Sequence, residues 1–393
     1  MIYRPYGQTG KKISAIGFGG MRFPEPNEIE KSAELLLYAN EKGITYFDTA
    51  PLYSEDKSQD IFGHAFKQMP RESFVVSTKC GAADGEEFRR SLETSLEKMG
   101  LEKIDFFNIW GLISAQQWEE RKKGGALNAL LKARDEGLVE HVVFSTHMTR
   151  EEAESVFEEA IFEGVTLGYN AINFPLREQV VDSAGRHGIG VVTMNPLGGG
   201  MIPQHAERFD FIRSADDPDV VSAALRFILS NPSVTCALVG FSSKEEIDQA
   251  VAVAENVTPL SAEHREAMKK QIGEKFENLC TGCGYCLPCP QKLQIPRLMD
   301  GYNMRILQGS KPEYIANRLK FHWGLTPADA EGCTACGACE KACTQHLPII
   351  ERLKEIADAG REMAADKDGR HQGLRGFSRV GKRDLKGSAL GKQ

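Results

Sequence analysis

Eight of the ten cysteines in this 393-residue chain fall in two quartets, Cys280, Cys283, Cys286, Cys289 and Cys333, Cys336, Cys339, Cys343. Thiolates at C-x-x-C-x-x-C spacing can be gathered on one iron–sulfur cube, and the bacterial two-cluster run C-x-x-C-x-x-C-x-x-x-C-P has this form. The first quartet has two residues before its last cysteine instead of three and is followed by Pro290; the second is followed by Thr344 where proline is usual. Neither departure removes a ligand. If the fourth cysteine of each run crosses over, one cube takes Cys280, Cys283, Cys286 and Cys343, and the other takes Cys333, Cys336, Cys339 and Cys289. A single intact cluster is one alternative. Four-thiolate zinc is another, although zinc usually pairs two C-x-x-C units across a longer loop. The expected chemistry is one-electron transfer through two [4Fe–4S] clusters.

A second group is Asp48, Tyr53 and Lys79. A tyrosine titrates near 10, too high for easy proton donation at neutral pH. A nearby lysine cation favours the phenolate, and a buried aspartate holds the lysine charged. Such a phenol can protonate a developing alkoxide. The plainer reading is an Asp–Lys ion pair that supports the structure, with Tyr53 as packing. The remaining cysteines, Cys80 and Cys236, lie in apolar strand-like runs and read as inert core residues.

The elements that must position these groups alternate. Short apolar runs at 13–20, 45–50, 74–79, 104–111, 141–147, 165–173, 190–196 and 235–241 read as buried parallel strands. Amphipathic stretches lie between them, three of which (28–42, 86–99 and 127–136) are closed by Gly43, Gly100 and Gly137 as helix stops. Eight strand–helix units in this length predict a (β/α)8 TIM barrel. An open doubly wound sheet is the competitor, but no G-x-G-x-x-G follows the first strand and opens a helix. Beyond Leu260 strand signals are sparse, and helical patterns at 263–279, 295–307 and 313–322 predict a small, mainly α-helical domain around the cysteines. The expected domains are 1–262, 263–365 and a basic tail at 366–393, solvated or serving as an interaction arm.

Composition narrows the function. With 41 % hydrophobic and 26 % charged residues the chain reads as an ordinary globular protein, and a net charge of −7 argues against non-specific binding to nucleic acid or anionic membrane. The N-terminus lacks a basic n-region followed by an apolar h-region, and no apolar run is long enough to span a bilayer. The expected location is cytoplasmic, where clustered thiols are metal ligands more often than disulfides.

The segments 3–10 (YRPYGQTG), 17–22 (GFGGMR), 46–51 (YFDTAP), 195–200 (NPLGGG) and 239–244 (VGFSSK) resemble the aldo/keto reductase superfamily. Residues 280–290 (CTGCGYCLPCP) are similar to the signature of its branch with a C-terminal ferredoxin-like iron–sulfur domain. The resemblance spans about residues 1–355. It implies an oxidoreductase that uses NADP(H) on a carbonyl or alcohol of a small molecule; that the clusters relay single electrons to or from a redox partner protein is a further expectation, since hydride transfer does not itself require clusters. It places Asp48, Tyr53 and Lys79 in the catalytic set. It also implies cofactor contacts at Gly20, Met21, Ser145, Thr146, Asn173, Asn195, Leu197, Gly240, Ser242, Ser243 and Lys244, the last three reading an adenosine phosphate at a helix start.

One position departs from the family. The histidine expected at the end of the fourth strand is Trp110, whose indole donates one hydrogen bond but shuttles no proton and instead offers a flat face to substrate. His147, on the neighbouring strand end, is the candidate substitute, or else a histidine bonded near the cofactor amide. The competing function is therefore a redox-responsive carrier or binding protein with a catalytically altered barrel. A flavin in place of nicotinamide also stays open.

Overall fold

The structure, a computed structural model, describes residues 1–204, 206–275, 280, 286–343 and 347–369; Cys283 and the tail from residue 370 onward lie outside the described residues. The chain forms two bodies. One is Met1–Cys283 with His322–Gly324, the other Gly284–Phe321 with Leu325–Gln393.

The first body opens with an antiparallel hairpin of β1 (Tyr3–Pro5) and β2 (Lys12–Ser14). Eight strands follow: β3 (Ile16–Gly19), β4 (Tyr46–Asp48), β5 (Val75–Cys80), β6 (Ile104–Leu112), β7 (Val139–Thr146), β8 (Gly164–Gly168), β9 (Gly190–Met194) and β10 (Cys236–Val239). They pair in parallel, and β10 returns to β3 to close the ring. Closure excludes the open doubly wound sheet. The strands are apolar along their length because one face fills the barrel and the other meets the helices.

Several expected strands are shorter than read, such as Tyr46–Asp48 and Cys236–Val239, and two others show why. The run 13–20 is divided, because the Ser14 hydroxyl donates to the Ile16 carbonyl at 2.6 Å and the chain turns between β2 and β3. The run 165–173 leaves the barrel after Gly168. There the Asn170 side chain accepts from the N–H groups of Ile172 and Asn173, each at 3.0 Å, a local turn that competes with a strand ladder.

The hairpin brings Tyr6 under the barrel. Its ring is fully buried and packs edge-on against Phe106, centroids 4.7 Å apart. Gly164 and Gly190, at the starts of β8 and β9, make room for it: a Cβ on Gly190 would stand 2.1 Å from Tyr6 Cδ2. Gly190→Ala should therefore destabilise the barrel by about 1–3 kcal/mol through overpacking, read as a lower denaturant midpoint at unchanged slope. A midpoint equal to the wild type would show that Tyr6 can yield.

The helix Ala262–Lys275 was expected to begin the cluster domain, but it belongs to the barrel body. Its His264 Nε2 lies 3.1 Å from the Ile212 carbonyl, and the Arg265 guanidinium lies over Phe227 and pairs with Glu178.

In the second body the described residues contain helices and no strand. The helices Ile295–Gln308, Pro312–Arg318 and Ile349–Gly369 bury Leu298, Met299, Ile315, Leu319, Leu353 and Ile356. Gly301 permits the closest approach: a Cβ there would meet Leu319 Cδ2 at 2.5 Å. Arg318 Nε donates to Asp300 at 2.6 Å and Tyr302 Oη to Glu355 at 2.9 Å. The last helix runs to Gly369, so the chain is still helical where the tail was expected to begin at 366. Among the described residues no helix is long and apolar enough to cross a membrane.

Candidate active site and cluster domain

A parallel barrel carries its chemistry at the C-terminal ends of its strands, and the polar residues of this body gather there. Asp48 ends β4 and Lys79 lies near the end of β5, both buried, with Nζ 2.6 Å from the Asp48 carboxylate. Ser77 donates to the other carboxylate oxygen at 2.8 Å, and Asn108 Nδ2 donates to Ser77 at 3.0 Å. The aspartate is thereby fixed from two sides inside the barrel.

Tyr53 stands in the loop after β4. Lys79 Nζ sits 4.8 Å from its ring centroid, and Trp110 meets it edge-on at 5.7 Å. Leu52, Ser54, Glu55 and Asp56 all have left-handed backbone angles (φ 52° to 67°), a strained loop for residues with a Cβ. Burial raises the Tyr53 hydroxyl above its usual 10; the Lys79 charge pulls the other way but does not prevail. The lysine was expected to lower this value. The structure instead keeps Tyr53 a phenol, the form that donates a proton. For Lys79 burial is the largest effect and acts to lower the value, yet the charges of Asp48 and Tyr53 and the hydrogen bonds to them together outweigh it, and the ammonium is held above 10.5.

Ser145 and Thr146 end β7. Ser145 Oγ accepts from Gly111 N–H at 2.8 Å and retains its own proton for a ligand. Thr146 is fully buried, donating to the Leu112 carbonyl at 2.8 Å and accepting from Met148 N–H at 3.0 Å. Asn173 opens the helix Phe174–Arg186, and its Oδ1 accepts from Asn170 N–H. Asn195 follows β9 with φ 56°, and its carbonyl accepts from Asn170 Nδ2 at 3.0 Å. Leu197 starts the turn through Gly198–Gly200.

Gly20 follows β3. A Cβ there would lie 2.5 Å from Phe62 and Ser58, so its glycine lets the helix Ser58–Phe66 close on the end of β3, while Met21 stays exposed. Gly240 follows β10. Ser243 caps the helix Lys244–Glu255, the Ser242 N–H donates to the Glu246 carboxylate at 2.6 Å, and Lys244 lies over Tyr38. A carboxylate thus occupies the anion seat of this helix start, where the adenosine phosphate was expected.

His147 sits just past β7. Its ring packs against His322 (5.6 Å) and Trp323 (6.0 Å), residues of the short segment His322–Gly324 that belongs to the barrel body. His322 was read only as the end of a cluster-domain helix. Ser77, Asn108 and Asn170 were likewise given no role. Their signal was polarity inside otherwise apolar strands and the turn that follows β8.

In the second body Cys286, Cys289, Cys333, Cys336 and Cys339 line a small, partly open pocket together with Leu293, Ile295, Ile350 and Leu353. The loop at 333–337 curls with left-handed Ala335 (φ 54°) and Gly337 (φ 75°), and Ala335 N–H points to Cys333 Sγ at 3.4 Å. Leu347 N–H points to Cys343 Sγ at the same distance. Amides aimed at thiolate sulfur are a recurring means of setting a cluster's potential. Among the described residues no three His, Cys, Asp or Glu side chains converge as ligands of a single ion would. A cube takes its thiolates on separate irons, and the largely apolar wall, with the Ala335 amide aimed at Cys333, fits such a group.

Residues 15–272, more than half of the chain, match the aldo/keto reductase family. The chain belongs to the aldo/keto reductase family. Residues 279–349 of this reductase match the 4Fe-4S dicluster domain, so an iron–sulfur domain follows the barrel. Among curated proteins the reductase is 24 % identical to L-galactose dehydrogenase of Arabidopsis thaliana, the match covering 70 % of this chain and 95 % of that one. It is also 24 % identical to L-glyceraldehyde 3-phosphate reductase of Escherichia coli O157:H7, covering 71 % and 94 %. Among solved structures it superimposes on an aldo-keto reductase from Bacillus halodurans in its holo form, with a TM-score of 0.60 at 20 % identity over 69 % of this chain and 96 % of that one. A Klebsiella pneumoniae aldo-keto reductase in complex with NADPH gives 0.57 at 19 % identity, over 69 % and 95 %. The protein is therefore an oxidoreductase of this family.

Proposed function

We propose that this aldo/keto reductase interconverts a carbonyl and an alcohol on a small molecule with NADP(H), and that its second domain carries two [4Fe–4S] clusters that relay electrons to or from a partner protein. The observation that carries the barrel reading is the buried Asp48–Lys79 pair at 2.6 Å with the Tyr53 ring against the ammonium. Bound NADPH would supply a hydride to the carbonyl carbon. Tyr53 gives its proton to the carbonyl oxygen as the alkoxide develops, and in the reverse direction takes it back. Lys79 stabilises the phenolate left behind, and Asp48, held by Ser77, keeps Lys79 charged and aimed. Ser145 retains a donor for the nicotinamide amide, and Asn173 and Asn195 stand at neighbouring strand ends. Trp110 beside Tyr53 walls the substrate side and supports flat or compact substrates. The relatives' printed names put small sugars and a sugar phosphate first among candidates.

The test is NADPH oxidation by an anaerobic preparation, with iron and sulfide counted, against a panel of aldoses, hydroxy-aldehydes and ketones. Reduction consumes the Tyr53 proton, so it falls as pH rises through that group's value. Because burial holds that value above 10, the rate should carry no Tyr53-dependent decline below about pH 10. A decline centred near pH 8 that disappears in Tyr53→Phe would contradict this. Trp110 in the histidine's place favours the second reading, a redox-responsive carrier. That reading prevails if no substrate turns over while cluster reduction changes the binding of a partner.

A further inference from the structure

We infer that His322, carried by the stretch between the two cysteine quartets, is a positioning residue of the barrel's active site that holds the Asn195 side chain for the nicotinamide end of the cofactor; this rests on the NADP(H) reading above.

The geometry starts at Asn195. The residue follows β9 at the barrel mouth, in the left-handed region at φ 56°, and its carbonyl is fixed by Asn170 at 3.0 Å. The backbone is thus set, and the side chain's direction depends on its own partner. That partner is His322: Asn195 Nδ2 lies 3.3 Å from His322 Nε2. An amide nitrogen only donates, so in this contact the ring nitrogen accepts. With Nδ2 engaged, the amide oxygen is the free end of Asn195, an acceptor for a carboxamide N–H.

The histidine is itself seated. Its ring packs against His147, and Trp323 packs against the same His147. Gly324 stands in the left-handed region (φ 61°), where a residue with a Cβ would be strained, and a Cβ there would lie 2.6 Å from Ile113 Cδ1 and push that side chain aside. The histidine and tryptophan close a π-helical turn, Leu319–Trp323, a form often found at functional sites. His322 therefore spans the ends of β7 and β9, while Trp110 and Tyr53 stand over β4 to β6. The strand end where an imidazole was expected holds Trp110, and the mouth takes an imidazole from a distant part of the sequence.

A plain packing role predicts something different. If His322 only fills space against His147, a ring of similar size should replace it. If it positions Asn195, an acceptor must be kept. The experiment is an NADPH titration of the full-length protein under anaerobic conditions, read by the fluorescence of bound NADPH and independent of turnover. His322→Phe should raise the dissociation constant about fivefold to tenfold, the size of one lost hydrogen bond, and His322→Gln, which keeps an acceptor, should stay within about twofold of wild type. Asn195→Ala should weaken binding as much as His322→Phe, and the double variant no further. His322→Leu repeats the measurement if the phenylalanine variant melts early. Binding by His322→Phe equal to wild type, or effects that multiply in the double variant, would overturn the inference. Wild-type protein that takes up no NADPH would overturn the cofactor reading itself, and so separates the two failures.

Discussion

Lys79→Met is expected to lower NADPH-dependent carbonyl reduction by at least about a hundredfold and to destabilise the barrel by about 3–5 kcal/mol. Both effects come from one contact. Lys79 and Asp48 are each nearly inaccessible to water, with Nζ 2.6 Å from the carboxylate. Methionine keeps the stem of the side chain and removes the charge. Asp48 then remains buried with only the Ser77 hydroxyl at 2.8 Å to satisfy it. Breaking one partner of a buried pair is far more costly than replacing both, so Asp48→Asn added to Lys79→Met should restore much of the stability and none of the activity.

Tyr53→Phe separates the roles further. It should remove turnover to a similar degree while changing stability by less than about 1 kcal/mol, because the phenol is half-buried and its ring contacts with Trp110 and Lys79 remain. The sign of the pH dependence follows from Lys79. Its folded value is raised, so the pair's contribution is complete at neutral pH and is lost as pH rises past the lysine's ordinary 10.5. Equal melting of Lys79→Met and wild type at pH 7 would contradict this account.

The barrel was legible because a parallel strand has few ways to be written: a short apolar run, a turn, then an amphipathic helix. Asp48 and Lys79 stood out as charges at the ends of such runs. Ser77 and Asn108 did not, since a buried hydroxyl or amide in a strand looks the same in sequence whether it supports a catalytic carboxylate or a neighbouring strand. The environment of Tyr53 was read with the wrong balance. Spacing reports that a lysine is near, but how much water reaches the phenol depends on packing from other strands, and burial outweighs the ammonium.

His322 was illegible for a different reason. It lies 127 residues from Asn195, in a stretch whose neighbours Phe321 and Leu325 belong to the other body. No local periodicity reports a contact of that range. Thr146 shows the reverse case: the motif is present, yet its one hydroxyl proton is given to the Leu112 carbonyl at 2.8 Å and its oxygen also accepts from Met148 N–H at 3.0 Å, which leaves it no donor for a ligand.

The second large effect concerns which thiols share a cube. On the two-cluster reading proposed above, with the fourth thiols crossed, Cys289→Ala should cost about half of the bound iron, and Cys289→Ala with Cys339→Ala should cost no more than that half. The cavity wall argues for it. Cys289 lines the same cavity as Cys333, Cys336 and Cys339, although it closes the other quartet in sequence; Cys286 reaches that wall too, so what favours the crossed set is which fourth thiol is present. Cys343, the last thiol of the second quartet, is absent from that wall and instead receives the Leu347 amide at 3.4 Å. Cys343→Ala with Cys339→Ala should therefore remove both clusters, leaving about no iron and a featureless visible spectrum. Two quartets that each kept their own four thiols would give the opposite pattern. Cys289→Ala with Cys339→Ala would then empty the protein, and Cys343→Ala with Cys339→Ala would leave half. Iron and sulfide counts on the two double variants, prepared anaerobically, decide between these arrangements. In the crossed pattern each cube draws its fourth thiol from the loop that supplies the other three to its neighbour.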